Sequence, residues 1–210
     1  LSFWRPLLEV PVCVFPYRFP LEIAKSLQAR DGFPLIYGVA LWEQYTIEAL
    51  RASQGLPRIG ISYPALINRP IDTIRDLYQK LCETDVQGLR MPSDREILAF
   101  IENRLHHQRD TSKIADAIIN DSQRQLAKNL EDGSALLWSK IPSLSTGAAE
   151  ILEEHDQQCY REQENQQILK SVQEEVNGLH QQIQHTDLKI EELRRALNAT
   201  QEEMIGLRQE

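Results

Sequence analysis

The stretch VPVCVFPYRFPLEIAKSL, residues 10–27, carries the most information about the fold. Residues 10–15 are apolar and valine-rich, with prolines near both ends, and suit a buried strand of a parallel sheet. Pro20 fits the first position of a helix, because it has no N–H to leave unpaired and its φ is already set. A helix over residues 20–30 places Ile23, Ala24 and Leu27 on one face. A strand that runs straight into a helix start aims the helix's unpaired N–H groups at the strand's C-terminal edge, where anions bind in open α/β sheets. Arg18 stands at that junction with a planar, permanently charged fork suited to phosphate oxygens. Two readings of Arg18 stand side by side: a phosphate ligand, or a salt-bridged arginine at the edge of a sheet.

Further along, residues 35–53 predict a second helix, with Val39, Trp42, Tyr45 and Ala49 at helical spacing. Residues 58–63 predict a short strand. Residues 71–82 predict a helix with Ile74, Leu77, Tyr78 and Leu81 on its apolar face. Strand, helical crossover and strand is the pattern of an α/β fold with a parallel sheet. Residues 88–93 read as a loop, and Ser93 with Glu96 three residues on forms a capping-box pattern for a helix from Asp94.

The second half differs in kind. All 10 prolines lie at or before Pro142. Residues 111–146 read as a helical linker with a break at Asp132-Gly133-Ser134, and residues 147–210 as a coiled coil. From Leu169 the heptads are strict. Leu169, Val176, Ile183, Ile190, Leu197 and Met204 fall at a; Val172, Leu179, Thr186, Leu193, Thr200 and Leu207 fall at d. That pattern predicts a long helix that self-associates or takes a helical partner. Charge follows the same division. Residues 1–110 hold 13 basic and 13 acidic residues, so the net charge of −8 belongs to residues 111–210. An acidic, aromatic-poor tail argues against general nucleic-acid binding, which wants a basic face.

Three widely spaced cysteines (Cys13, Cys82 and Cys159) form neither a disulfide framework nor a zinc spacing, which suits a reducing, cytoplasmic compartment. Adjacent His106 and His107 point in different directions on a helix, against a metal site. No run of 18 apolar residues occurs, so no membrane span is expected. Residues 1–15 are too broken by Arg5, Pro6, Glu9 and Pro11 for a signal peptide. The chain opens on Leu in what reads as mid-domain, and a fragment of a longer protein is expected.

The register R-x-P-x-E-x-x-x-S, formed by Arg18, Pro20, Glu22 and Ser26, resembles the 3′-phosphate-binding segment of sulfotransferases that use 3′-phosphoadenosine 5′-phosphosulfate (PAPS). RDGFPLIYGVALWEQYTIEAL (residues 30–50) is similar to the helical segment of bacterial members. LPRIGISYPALINRPIDTIRDLYQKL (residues 56–81) resembles their next strand, turn and helix. The likeness covers residues 1–110. It implies the C-terminal part of a P-loop-like three-layer α/β/α domain that transfers a sulfuryl group from PAPS to a hydroxyl or amine acceptor. It also implies that Arg18 and Ser26 hold the 3′-phosphate and that Tyr63 lies against the adenine.

Other readings stay open for two of these residues. Ser26 also reads as a solvent-facing helical serine, and Tyr63 as a tyrosine filling the end of the sheet. Pro64 and Ala65 depart from the acidic turn of the cytosolic members. Arg104 and Arg109, beside the two histidines, are further phosphate-pocket candidates. The family's K-x-G-T-T loop, which cradles the 5′-phosphosulfate, has no counterpart in the chain, and no histidine precedes Arg18 as a catalytic base. Glu9 is the one carboxylate ahead of Arg18. The catalytic residues are therefore unassigned. The competing expectation is a non-catalytic scaffold in which the coiled coil oligomerises and carries a degenerate α/β module. A related kinase-like fold is disfavoured, because no Walker lysine motif occurs.

Overall fold

The structure is a computed structural model that describes residues 5–101 and 117–207, with side chains from 6 to 200 among them. It divides into two compact units, Leu1–His155 and Asp156–Glu210. The first unit is helix-rich around a small sheet in which β1 (Cys13–Tyr17) and β2 (Arg58–Ser62) run parallel, Cys13 paired with Arg58 and Tyr17 with Ser62. Between them lie α1 (Pro20–Asp31) and α2 (Leu35–Ala52). This is the expected strand–helix–helix–strand order.

The first strand sits at residues 13–17 rather than at the expected 10–15, and backbone chemistry gives the reason. The Cys13 N–H donates to the Pro57 carbonyl at 2.9 Å, which turns the amides of residues 13, 15 and 17 toward β2. The nitrogen of Pro16, which has no proton to give, therefore points away from the ladder, as a proline in a strand must.

Pro20 starts α1, and Gly32 ends it in the left-handed region at φ 76°, its N–H closing on the Gln28 carbonyl. The two helices pack so closely that a Cβ on Gly38 would lie 2.8 Å from the Cα of Ala24. The side of α2 that turns inward is not the expected stripe throughout. Val39, Trp42, Ile47 and Leu50 are buried, whereas Tyr45 is 65% exposed and Glu43 only 2% exposed.

After β2 come the short α3 (Tyr63–Asn68), α4 (Pro70–Glu83) and α5 (Asp94–Phe100). The expected capping box at Ser93 is present in both directions. Ser93 Oγ accepts from the Glu96 amide at 3.4 Å, and the Ser93 amide donates to Glu96 Oε2 at 2.7 Å. α6 (Asp121–Glu131) ends before Gly133, which is left-handed at φ 78°, so the expected break at residues 132–134 is real. Leu126, Ala127 and Leu130 of α6, with Ala135, join Trp42, Ile47 and Leu50 in the main core.

Thr146 begins α7 (Thr146–Leu207), a single helix of 62 residues. Its first turns belong to the first unit. Ala148 and Leu152 pack against Tyr37 and Ala40, and the His155 ring stacks on Tyr37 with centroids 3.7 Å apart. From Asp156 the helix forms the second unit, and the heptad positions Leu169 to Leu197 carry their apolar residues exposed. Among the described residues no helix is long and apolar enough to cross a membrane.

Candidate anion site at the carboxyl edge of the sheet

The sheet register places the candidate residues. Tyr17 pairs with Ser62 at the C-terminal ends of the two parallel strands. The next residue on each strand, Arg18 and Tyr63, therefore leaves the same edge side by side. The guanidinium carbon of Arg18 lies 4.7 Å from the Tyr63 ring centroid, within cation–π range. Arg18 Nε donates to Glu22 Oε2 at 2.9 Å, one turn into α1. These side chains are 22% and 18% exposed, so the ion pair is partly shielded from solvent. The salt-bridged reading of Arg18 is thus a fact of the fold, and the same contacts fix the guanidinium in place. The cap residue of α1, Phe19, offers no side-chain bond to the first amides of the helix, which begin beside Arg18.

Ser26 is not drawn into this group by the strand register. It is exposed on α1, about 9 Å along the helix axis from Pro20 at the ordinary rise per residue. Ser62 caps α3, accepting from the Ala65 amide at 3.3 Å. The Tyr63-Pro64-Ala65 turn thus opens a helix despite its departure from the acidic family pattern. Glu9 is exposed. Arg104, His106, His107 and Arg109 lie outside the described residues.

Two recesses adjoin this edge. An open, mostly apolar cleft of about 790 Å³ runs along residues 12–18 and reaches Ile23, Leu27, Trp42 and Tyr45; Arg18 and Arg30 line it, each paired with a carboxylate, Glu22 at 2.9 Å and Asp31 at 2.7 Å. A smaller recess of about 450 Å³ holds Arg69 and Lys80 together with Asp72, Asp76, Glu131 and Asp132. Carboxylates outnumber cations in the second, which disfavours an anion there. Tyr17 borders both. Burial, then the charges of Glu131 and Glu22, push its phenol up to about 12.

Sequence reasoning did not foresee Glu22 as the partner of Arg18, although the spacing of four was there to see. Arg18 lies outside the helix, where the four-residue rule does not formally apply. It also missed the place of Arg30 on the cleft, which depends on how α1 and α2 turn against β1. None of the three cysteines forms a disulfide; Cys13 is half-buried and the others are exposed. Among the described residues no group of three or more His, Cys, Asp or Glu is arranged to hold a metal ion. No family model matches the chain, and neither a curated protein nor a solved structure matches it.

Proposed function

We propose that residues 1–110 are the 3′-phosphate half of a PAPS-type nucleotide site, the C-terminal part of a three-layer α/β/α sulfotransferase-like domain. One observation carries the reading: Arg18 and Tyr63 leave the carboxyl edge of a parallel strand pair together, beside the start of α1. In this reading the Arg18 guanidinium, steadied by Glu22 and lying on the Tyr63 ring, takes the 3′-phosphate. Tyr63 borders the adenine, and Ser26 is the further phosphate ligand that the family register implies.

The test is binding of adenosine 3′,5′-bisphosphate to the whole chain by calorimetry, with adenosine 5′-monophosphate as the comparison lacking the 3′-phosphate. The bisphosphate is expected to bind more tightly, and Arg18→Ala is expected to weaken it about tenfold to a hundredfold, as loss of a charge-assisted contact does. Unchanged affinity in Arg18→Ala refutes the assignment.

A second reading is favoured by the Arg18–Glu22 pair itself, which already gives the guanidinium a carboxylate. Here the α/β module is degenerate and the coiled coil is the working part. Equal affinity for the bisphosphate and the monophosphate, unmoved by Arg18→Ala, is the result it requires.

A further inference from the structure

The heptad stripe of α7 leaves a row of large apolar residues exposed. Ile183 is 58% exposed, Leu193 63% and Leu197 59%. We propose that this stripe pairs with the same stripe of a second copy running antiparallel, residues 169–200 of each helix against the other, with the two-fold between residues 184 and 185.

The direction follows from the residues that interrupt and flank the stripe. In a parallel pair every a and d residue meets its own copy. Thr186 would then face Thr186, and Thr200 would face Thr200. Lys189 at g would lie beside Arg194 at e of the second copy, a like-charge contact that opposes pairing. In an antiparallel pair a meets d, e meets e and g meets g. About the stated two-fold, Thr186 meets Ile183 and Thr200 meets Leu169. His180 meets Asp187, Gln182 meets Lys189 and Gln173 meets Arg194, so no like charges face one another.

The same arithmetic selects the register. One heptad further along, Asp187 faces Asp187 and Lys189 faces Lys189. One heptad back, Leu197 is set against Asn165 and the apolar overlap shortens.

The two threonines are prepared for apolar neighbours. Thr186 Oγ1 donates to the Gln182 carbonyl at 2.8 Å and Thr200 Oγ1 to the Ala196 carbonyl at 2.9 Å. With each hydroxyl satisfied inside its own helix, its methyl can pack against Ile183 or Leu169 without burying an unpaired polar group.

Analytical ultracentrifugation of the whole chain gives the stoichiometry. The expected species has twice the 24.2 kDa of one copy; a monomer, trimer or tetramer at tens of micromolar overturns the proposal. Disulfide trapping reads the direction, in a background carrying Cys82→Ser and Cys159→Ser. The stated register sets Val172 against Leu197. Mild oxidation should therefore yield a covalent dimer from Val172→Cys combined with Leu197→Cys, and none from Val172→Cys alone or from the background. A covalent dimer from Val172→Cys alone means a parallel pair, and failure of the double variant to trap rejects the register; either overturns the proposal.

Lys189→Glu gives an independent reading with the seam intact. Dimer affinity should stay within about twofold, since residue 189 faces Gln182. Tightening of about tenfold, as relief of a Lys189–Arg194 contact on both sides would give, overturns it.

Discussion

At the scale of the residue, Arg18 and Arg58 show how one side-chain type takes opposite roles on neighbouring strands. Arg58 opens β2 and directs its donors to backbone carbonyls, those of Leu50, Ser53, Leu136 and Trp138. It ties the end of α2 to the segment after α6, which is structural work. Arg18 closes β1 and meets a carboxylate and a ring at the sheet edge, where charge can also be offered to a ligand. Tyr17 gives the residue-scale prediction. Its phenol is raised to about 12 by burial and by Glu131 and Glu22, while in the unfolded chain it titrates near 10. The folded state therefore holds the proton longer. This contribution is complete below about pH 10 and is lost as pH rises toward 12. Stability followed by urea denaturation across that interval should fall more steeply in the native chain than in Tyr17→Phe. Equal slopes would show that Tyr17 is not protected.

Among the elements, the attachment of α7 is the contact that sequence inspection is least equipped to find. Glu43, buried on α2, accepts the Ser145 amide at 2.7 Å on one oxygen and the Ser145 hydroxyl at 2.7 Å on the other. Ser145 Oγ in turn accepts the Ala148 amide at 3.4 Å. A carboxylate thus caps the start of α7 from another helix, where the helix dipole favours negative charge. Glu43→Ala leaves these donors unpaired and should cost about 2 kcal/mol or more in urea denaturation followed by helical circular dichroism. Glu43→Gln keeps an acceptor for the amide and should cost less. Equal losses in the two variants would mean that the negative charge, not an acceptor of the right size, is what position 43 supplies. Gly38 plays a comparable part between α1 and α2, since its lack of a side chain lets Ala24 approach. The small residue was visible in the sequence; the neighbour that requires it was not.

At the scale of the whole molecule, the chain unites an electrically balanced α/β half with an acidic helical half. The proposed nucleotide site lacks the loop that would hold a 5′-phosphosulfate. This chain by itself should accordingly show no sulfuryl transfer from PAPS to simple hydroxyl or amine acceptors. Transfer that Arg18→Ala abolishes would show that residues present here supply the missing part.

Local chemistry made much of the fold legible in advance: Pro20 at a helix start, the Ser93–Glu96 box, the Gly133 break, the strand–helix–strand order and the heptads. Each is written within a few residues of itself, so no distant partner was needed to see it. The candidate site was half legible. Arg18 and Tyr63 could be picked out singly, but their contact depends on the pairing of Tyr17 with Ser62, two residues far apart in the chain. That register, the inward turn of Glu43, the outward turn of Tyr45 and the return of α6 to the core exist only in the folded chain. They are choices among competing partners remote in sequence, and they are settled by which arrangement buries the most apolar surface while leaving every buried polar group bonded.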